Sequence, residues 1–433
     1  MVYRVGLLGL GTVGTGVVQI LQRPGHPLLQ AVDLGAVGVR SLDKPRDVQI
    51  SPERLTTDLE RIVSDPEIDV VIELMGGLEP ARSLILKAID HGKQVITANK
   101  AVIARHGTEI FLAAAQAKVS VLLEAAVAGG IPILQPLQQS LRANQIQAVW
   151  GIINGTTNFI LSQMTQEGSS FAEALAIAQA RGYAEADPSA DVEGWDAADK
   201  IAILASLAFG LPVQREAIPC EGIRDISTTD IRYAREWGFT FKLLAIAQKA
   251  ATSQLDIRVH PTLLPSTHPL ASINGVDNAV LVQGDPLGQV VLSGPGAGRG
   301  PTASAVVGDL LTLIAHLQTG ARAPNPLLGF SPLSAPEDSP AVQAGIPLAE
   351  LEAEFYVRVL AQDQPGVIGA IGTCFGNHRV SLESITQKEC HREQAEIVIL
   401  THTVREADCQ QAIAEIRQLP QVAGIPGLFR VLR

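Results

Sequence analysis

The chain has 433 residues, more than a single hydrophobic core serves, so roughly two to four domains of about 100–200 residues are expected. Hydrophobic residues make up 46% and charged residues 18%, and the 39 Gly and 26 Pro are scattered, which excludes a disordered or collagen-like chain. Lys plus Arg number 33 against 44 Asp plus Glu, a net charge of −11 with no local basic patch, so neither nucleic acid nor an anionic membrane surface is an expected partner.

The longest uncharged apolar stretch outside Gly-rich segments, residues 201–213, is shorter than the about 20 residues a spanning helix needs. The N-terminus, MVYRVGLLGLGTVG, carries no small-residue cleavage site, so a secretory leader is not expected. Cys220, Cys374, Cys390 and Cys409 are far apart and form no CxxC pair, which speaks against a disulfide scaffold or zinc knuckle and for a reducing, cytoplasmic setting.

Residues 3–8 read as a buried strand, with Gly9, Gly11 and Gly14 following at once and a helix running to about Leu21. In this GxGxxG pattern Gly9 allows the tight turn, Gly11 lets the backbone approach a pyrophosphate and Gly14 permits close helix packing. The N–H groups of Thr12 and Val13 would meet the phosphate at the helix N-terminus. Alone the pattern also fits a Gly-rich turn of an unrelated α/β protein; its place between strand and helix favours a dinucleotide. Apolar stretches at 31–39, 69–74 and 94–97, separated by helical patterns at 80–91 and 107–118, predict an α/β domain with a doubly wound parallel sheet over residues 1–132.

The second strand ends GAVGVR, without the Asp or Glu that accepts from ribose hydroxyls. Arg40, with Lys44 and Arg46 behind it, suits a 2′-phosphate instead, so NADP(H) is preferred over NAD(H); the other reading of Arg40 is a solvated surface charge. Lys100 closes TANK at the C-terminal end of the fourth strand, where ligands bind in open α/β sheets.

Residues 133–320 mix helical patterns (171–182, 195–209, 237–250, 302–318) with short strands near 255–260, 278–283 and 288–293, and read as a separate α+β domain. Two loops there suit a close-lying ligand: NGTTN at 154–158, rich in donors, and GPGAG at 294–298, whose Gly298 is assigned to the cofactor. The stretch RGYAEADPSADVEGWDAADK, 181–200, gathers Glu185, Asp187, Asp191, Glu193, Asp196 and Asp199 ahead of Lys200. On a helix Asp196 and Lys200 share a face, so the carboxylate can orient the ammonium, and a lysine in a partly desolvated cleft serves as general acid–base. The plainer reading is a solvated acidic loop with an ordinary ion pair. His91, His106 and His260 are read as surface or loop residues rather than metal ligands.

Six prolines between 324 and 347 mark 321–352 as a linker. The last part, 353–433, reads strand (354–360), helix (365–376), strand (379–388), strand (394–403), helix (405–418), strand (421–431), the ferredoxin-like βαββαβ order.

The segments GLGTVG, TANK, EAAVAGGIP, GIINGTTNFIL, GYAEADPSADVEGWDAADK and GPGAGRGPTASAVVGDL occur in this order, and over residues 1–320 the chain resembles homoserine dehydrogenase. The resemblance implies reversible NAD(P)-dependent interconversion of L-homoserine and L-aspartate 4-semialdehyde, a step towards threonine, methionine and isoleucine, in a homodimer or homotetramer. It implies Lys200 as proton donor and acceptor, Glu185 as the ligand of the substrate ammonium, Asp191 and Asp196 completing the polar cleft, and Lys100 beside cofactor and substrate. Which lysine dominates stays open, as does the partner of the substrate carboxylate.

A monovalent cation, sodium, is implied at Glu124, Val127, Gly129 and Ile131, mostly on backbone carbonyls, with helix capping the other reading of the Glu124 side chain. Residues 354–432, with DQPGVIG at 363–369, resemble an ACT domain, which implies threonine as feedback effector. Pro365 and Gly366 would leave helix N–H groups free for a carboxylate, near Asp363 and Asn377; a domain that only dimerises is the alternative. No fused aspartate kinase is expected ahead of the Gly motif. The rival from another class is a non-catalytic amino-acid sensor, which predicts a broken Gly motif or loss of Lys200.

Overall fold

In the computed structural model, residues 2–250, 254–321, 346–391 and 394–433 are described. They fall into two compact units. The first holds residues up to 153, Ala198–Ala217 and the residues from Asn278 onward to 321; the second holds Asn154–Ala197, Ile218–Asp277 and the C-terminal part from 346.

The first unit is built on a six-stranded sheet of β1 (Tyr3–Leu8), β2 (Val32–Gly38), β3 (Leu55–Thr56), β4 (Val70–Glu73), β5 (Gln94–Thr97) and β6 (Val121–Leu122), in the order β3-β2-β1-β4-β5-β6. Every pairing is parallel. The helices α1 (Thr12–Gln22), α2 (Leu59–Ser64), α3 (Ala81–Asp90) and α4 (Lys100–Ala117) make the crossovers. Such strands are covered on both faces, which is why β4 is VVIE with all four residues buried. The strand order reverses between β1 and β4, and an open sheet leaves its ligand crevice at the carboxyl ends of the strands at such a point.

The rest of this unit comprises α5 (Leu134–Gln138), β7 (Gln145–Ile152), the part of α9 from Ala198 onward, β10 (Asp277–Asp285), β11 (Gly288–Pro295) and α11 (Arg299–Gln318). β7 and β10 pair antiparallel, Ala279 opposite Ile152. Among the described helices α11 is long and apolar enough to cross a membrane by length and composition. Its Ala303, Val306, Leu310 and Leu313 lie instead in the same hydrophobic cluster as Val5 and Leu7 of β1 and Val17 of α1.

The second unit carries α6 (Gly155–Glu167), α7 (Phe171–Ala180), α8 (Ser189–Val192), the start of α9 (Trp195–Phe209), α10 (Thr228–Glu236), β8 (Phe239–Lys249) and β9 (Leu255–Pro265). To these it adds β12 (Glu352–Gln362), α12 (Val367–Asn377), β13 (Leu382–His391), β14 (Gln394–Thr401), β15 (Val404–Arg405), α13 (Glu406–Ile416) and β16 (Val422–Val431). Its strands follow the order β8-β9-β16-β12-β14-β13, with β15 on β12. The C-terminal βαββαβ module is as the pattern predicts, with Phe355, Val357, Ile371, Phe375, Ile397 and Ile413 in one core. Its strand β16 runs parallel to β9, Arg430 opposite Thr262, so the module's sheet is hydrogen-bonded to that of the preceding segment.

Two expectations are corrected. Within residues 237–250 the chain forms strand β8 (Phe239–Lys249), not a helix: in FTFKLLAIA both faces are buried, the polar Lys242 included, so neither a period of 2 nor one of 3.6 shows. His260 is a buried strand residue of β9, 2% exposed, rather than a surface or loop histidine. Its imidazole is held neutral because burial, with Arg430 and Arg258 nearby, pushes its pKa well below the usual value. Of the expected linker, residues 322–345 lie outside the described residues.

Candidate active site

The Gly9–Gly14 turn occupies the crevice between β1 and β4. Gly9 has φ +103°, and a Cβ there would sit 2.8 Å from the Leu74 carbonyl oxygen. A Cβ on Gly14 would lie 2.2 Å from the Gly9 carbonyl oxygen, so only glycine lets the helix start this close to the turn. Gly11 faces open space, with no atom within 4 Å of a Cβ, and as N-cap of α1 it supplies no side-chain acceptor to the first turn containing Thr12 and Val13. A surface free of side chains and lined by N–H groups fits a pyrophosphate. The helix-to-helix approach falls to Gly16, whose Cβ would be 2.7 Å from the Arg299 carbonyl oxygen and 2.8 Å from the Ala303 Cβ on α11.

Arg40 lies exposed in the loop after β2. Arg46, by contrast, turns inward and donates to the carbonyls of Leu42 and Lys44, each at 2.8 Å, so it shapes the loop rather than presenting its charge. Lys100 is the first residue of α4, behind the N-cap Asn99, whose Oδ1 accepts from the Val102 N–H. A buried carboxylate that the motif reading missed steadies these strand ends: Glu73 accepts from Thr97 Oγ1 and from the Met75 N–H, both at 2.7 Å. A cavity of about 900 Å³ opens beside Gly16, Arg23, Asp47 and Arg299, and none of the expected site residues lines it.

The acidic stretch separates into different jobs. In the first unit Asp199 is tied to Arg105 at 3.0 Å and Arg215 at 2.8 Å, a structural ion cluster. On the same stretch of α9, the half-buried Lys200 donates from Nζ to the Ile153 carbonyl at 2.7 Å. In the second unit Glu193 pairs with Arg224. Ser189 hydrogen bonds hold the exposed Asp187 carboxyl below its usual range. Glu185 is exposed, in the loop between α7 and α8. Asp191 and Asp196 converge on one amide: Asn154 Nδ2 donates to Asp191 Oδ1 at 2.6 Å and to Asp196 Oδ2 at 2.9 Å. The Oδ1 of the same residue caps α6 through the Thr157 N–H at 2.8 Å.

In EAAVAGGIP, Ala128 and Gly129 are consecutive left-handed residues, both at φ 55°. Among the described residues no backbone N–H donates to the carbonyls of Val127, Gly129 or Ile131. The Glu124 side chain is already occupied. Its Oε1 accepts from the N–H groups of Ile133 and Leu134 at 2.6 and 2.9 Å, and its Oε2 from that of Gln135 at 2.7 Å, at the start of α5. Asp309 of α11 completes the knot, accepting from the Glu124 N–H and from Gln135 Nε2. Burial, and secondarily the nearby Glu124 charge, pushes the Asp309 carboxyl up to about 7. No group of three or more His, Cys, Asp or Glu side chains gathers for a metal among the described residues.

In the C-terminal module Gly366 caps α12 at φ +91°. Asp363 accepts from Gln387 and Asn377 donates to Glu415, so both polar residues have partners within the module. Patterning did not reveal two buried ion pairs, Arg358 on Asp230 at 2.6 Å and Arg430 on Glu406 at 2.8 Å, nor that Arg430 also reaches the exposed Glu221 at 2.8 Å.

The family model for homoserine dehydrogenase matches residues 132–311, that for the homoserine dehydrogenase NAD-binding domain residues 9–124, and that for the ACT domain residues 355–421. A homoserine dehydrogenase of Synechocystis sp. is 59% identical over 439 residues, covering all of both chains. The crystal structure of a homoserine dehydrogenase from Thiobacillus denitrificans is 42% identical with a TM-score of 0.91, over 100% of this chain and 98% of that one. A hyperthermophilic archaeal homoserine dehydrogenase in complex with NADPH is 26% identical with a TM-score of 0.62, over 73% of this chain and 98% of its own. With a Gly turn shaped for a dinucleotide, an acidic cluster and a C-terminal ACT module, the chain belongs to the homoserine dehydrogenase family, oxidoreductases with an NAD-binding domain.

Proposed function

We propose that this chain catalyses the reversible reduction of L-aspartate 4-semialdehyde to L-homoserine, the step that feeds threonine, methionine and isoleucine formation. The observation that carries the reading is Lys200, half-buried in the DAADK segment with its ammonium steadied on the Ile153 carbonyl. A bound NAD(P)H supplies the hydride. The Lys200 ammonium donates the proton that neutralises the alkoxide oxygen as the carbonyl is reduced, and its amine takes that proton back in the oxidative direction. Lys100 shares the reacting end of the site. Glu185 binds the substrate ammonium, with Asp191 and Asp196 supplying the surrounding negative potential.

Arg40, exposed and following a strand end without a carboxylate, favours NADP(H) over NAD(H), and the NADPH-bound archaeal relative supports this preference. A monovalent cation, sodium, is held by the carbonyls of Val127, Gly129 and Ile131, while Glu124 braces the loop by capping α5. The ACT module takes threonine as feedback effector, the protein works as a homodimer or homotetramer in the cytoplasm, and its functional divisions run 1–132, 133–320, 321–352 and 353–433. An intact Gly motif and the retained Lys200 count against a non-catalytic sensor.

The test follows nicotinamide absorbance with L-homoserine and NADP⁺ or NAD⁺, with and without threonine, beside Lys200→Ala. Turnover that falls by about a hundredfold or more in the variant, the range of general acid–base catalysis, is expected. Absence of turnover with either dinucleotide overturns the reading.

A further inference from the structure

We infer that residues 219–224 link the C-terminal module to the acidic segment around α8, and that Glu221 passes the module's effector response along this link to the substrate-ammonium site. The inference rests on the reading above that the module takes threonine and that the acidic segment faces the substrate. Every group in the link belongs to the second unit.

At one end the link is tied to β9 and to the module. The Val259 N–H donates to the Pro219 carbonyl at 3.0 Å, and the Glu221 N–H to the Val259 carbonyl at 2.8 Å. Strand β8 pairs along the whole length of β9, so residues 219–221 and β16 take successive stretches of the opposite edge, at Val259 and at Thr262–Leu263. This placement sets the Glu221 carboxylate on the Arg430 guanidinium through two N–H···O bonds of 2.8 Å each, a bidentate geometry. Arg430 also donates to both oxygens of Glu406 on α13, at 2.8 and 2.9 Å. One guanidinium is thus shared between the module and the link, and a shift of α13 or β16 against β9 changes how the two carboxylates divide it.

At the other end the link lies on α8. The Ile223 N–H donates to the Val192 carbonyl at 2.9 Å, and Arg224 pairs with Glu193. A Cβ on Gly222 would stand 2.5 Å from the Val192 carbonyl oxygen and 2.9 Å from the Glu193 Cα. The hydrogen bond resists separation and the close contact resists approach, so α8 follows the link in either direction. Asp191 lies on α8, and Glu193 and Gly194 lead from it to Asp196 near the start of α9. The module's other buried ion pair, Arg358 on Asp230, ends on α10, which carries none of the expected site residues.

Glu221→Gln removes the charge from the link and leaves the buried Arg430–Glu406 pair in place. Glu221 is exposed, so the melting temperature is expected to stay near that of the parent. Threonine binding to the full chain is measured by titration calorimetry, and kcat/KM for L-homoserine is measured with and without saturating threonine. Coupling between two sites changes affinity by about 5–150-fold, the range expected for the parent. In Glu221→Gln the threonine affinity and the rates without threonine stay close to those of the parent, while the factor by which threonine lowers kcat/KM falls severalfold towards one. Gly222→Ala presses on α8 directly and raises the homoserine KM with no effector present, the dinucleotide KM staying near that of the parent.

An undiminished threonine factor in Glu221→Gln overturns the inference whatever Gly222→Ala does. Loss of threonine binding in that variant overturns it too, because Glu221 would then belong to the effector site rather than to the path from it. A parent that takes up no threonine in the calorimeter refutes the reading of the module, and the inference with it. A parent that binds threonine and is inhibited, beside a Glu221→Gln variant inhibited to the same extent, leaves that reading standing and refutes the link alone.

Discussion

Replacing Glu124 by Gln tests whether this side chain braces a helix or binds a cation. Its carboxylate accepts three backbone N–H groups at 2.6–2.9 Å, two on Oε1 and one on Oε2. A Gln keeps the oxygen that serves Ile133 and Leu134 but turns an amide NH₂ against the Gln135 N–H, leaving one buried donor unsatisfied and weakening two charge-assisted bonds. A hydrogen bond to a charged group is worth about 1.5–3 kcal/mol, so a loss of about 2 kcal/mol is expected. That lowers the melting temperature by roughly 4–8 °C for a unit of some 150–250 residues. Calorimetric scans in sodium chloride and in choline chloride are the assay. Because the side chain faces N–H groups, the deficit is the same in both salts. A deficit that appears in sodium and vanishes in choline would place the carboxylate on the cation and refute the capping argument.

Three-dimensional contacts make two further outcomes specific. Gly16→Ala at an exposed helix position would add up to about 1 kcal/mol of stability. Against the Arg299 carbonyl oxygen at 2.7 Å it should instead cost about 1–3 kcal/mol in urea unfolding, and a stabilised variant would contradict the close approach of α1 and α11. Lys242, on β8 and 1% exposed, donates to Asn158 Oδ1 at 3.1 Å and Asn274 Oδ1 at 3.2 Å, and burial depresses its pKa from 10.5 to about 8. The unfolded chain therefore binds more protons between about pH 8 and 10.5, so this residue's share of stability rises with pH through that window, by about 3 kcal/mol in all. Stability curves of the parent and Lys242→Met from pH 7 to 10 should diverge in slope by up to one proton; parallel curves would show that Lys242 does not titrate there.

The parallel sheet and its dinucleotide turn were legible in the sequence because their signals are local. Fully buried strands read as unbroken apolar runs, and Gly9, Gly11 and Gly14 sit within six residues of one another. The βαββαβ module was legible for the same reason, each of its elements showing its own period. Strand β8 was not: a segment buried on both faces, with Lys242 among its buried residues, carries no period, and its pairing with β9 decides that it is extended.

Residue types likewise marked the acidic stretch as chemical, but not how its members divide. Asp191 and Asp196 meet through Asn154, some forty residues upstream, whereas Asp199, three positions beyond Asp196, turns to Arg105 and Arg215. Residues three apart on a helix lie on nearly the same face, so spacing alone does not separate these two carboxylates, and chain-distant groups determine what each one does. Glu124 had two open readings for the same reason, and only the tertiary structure places its carboxylate against the N–H groups of residues 133–135. Local periodicity and turn chemistry thus suffice to specify elements and a cofactor turn from sequence, while the assignment of each buried polar group waits on tertiary contacts, since its energy depends on which partner replaces water.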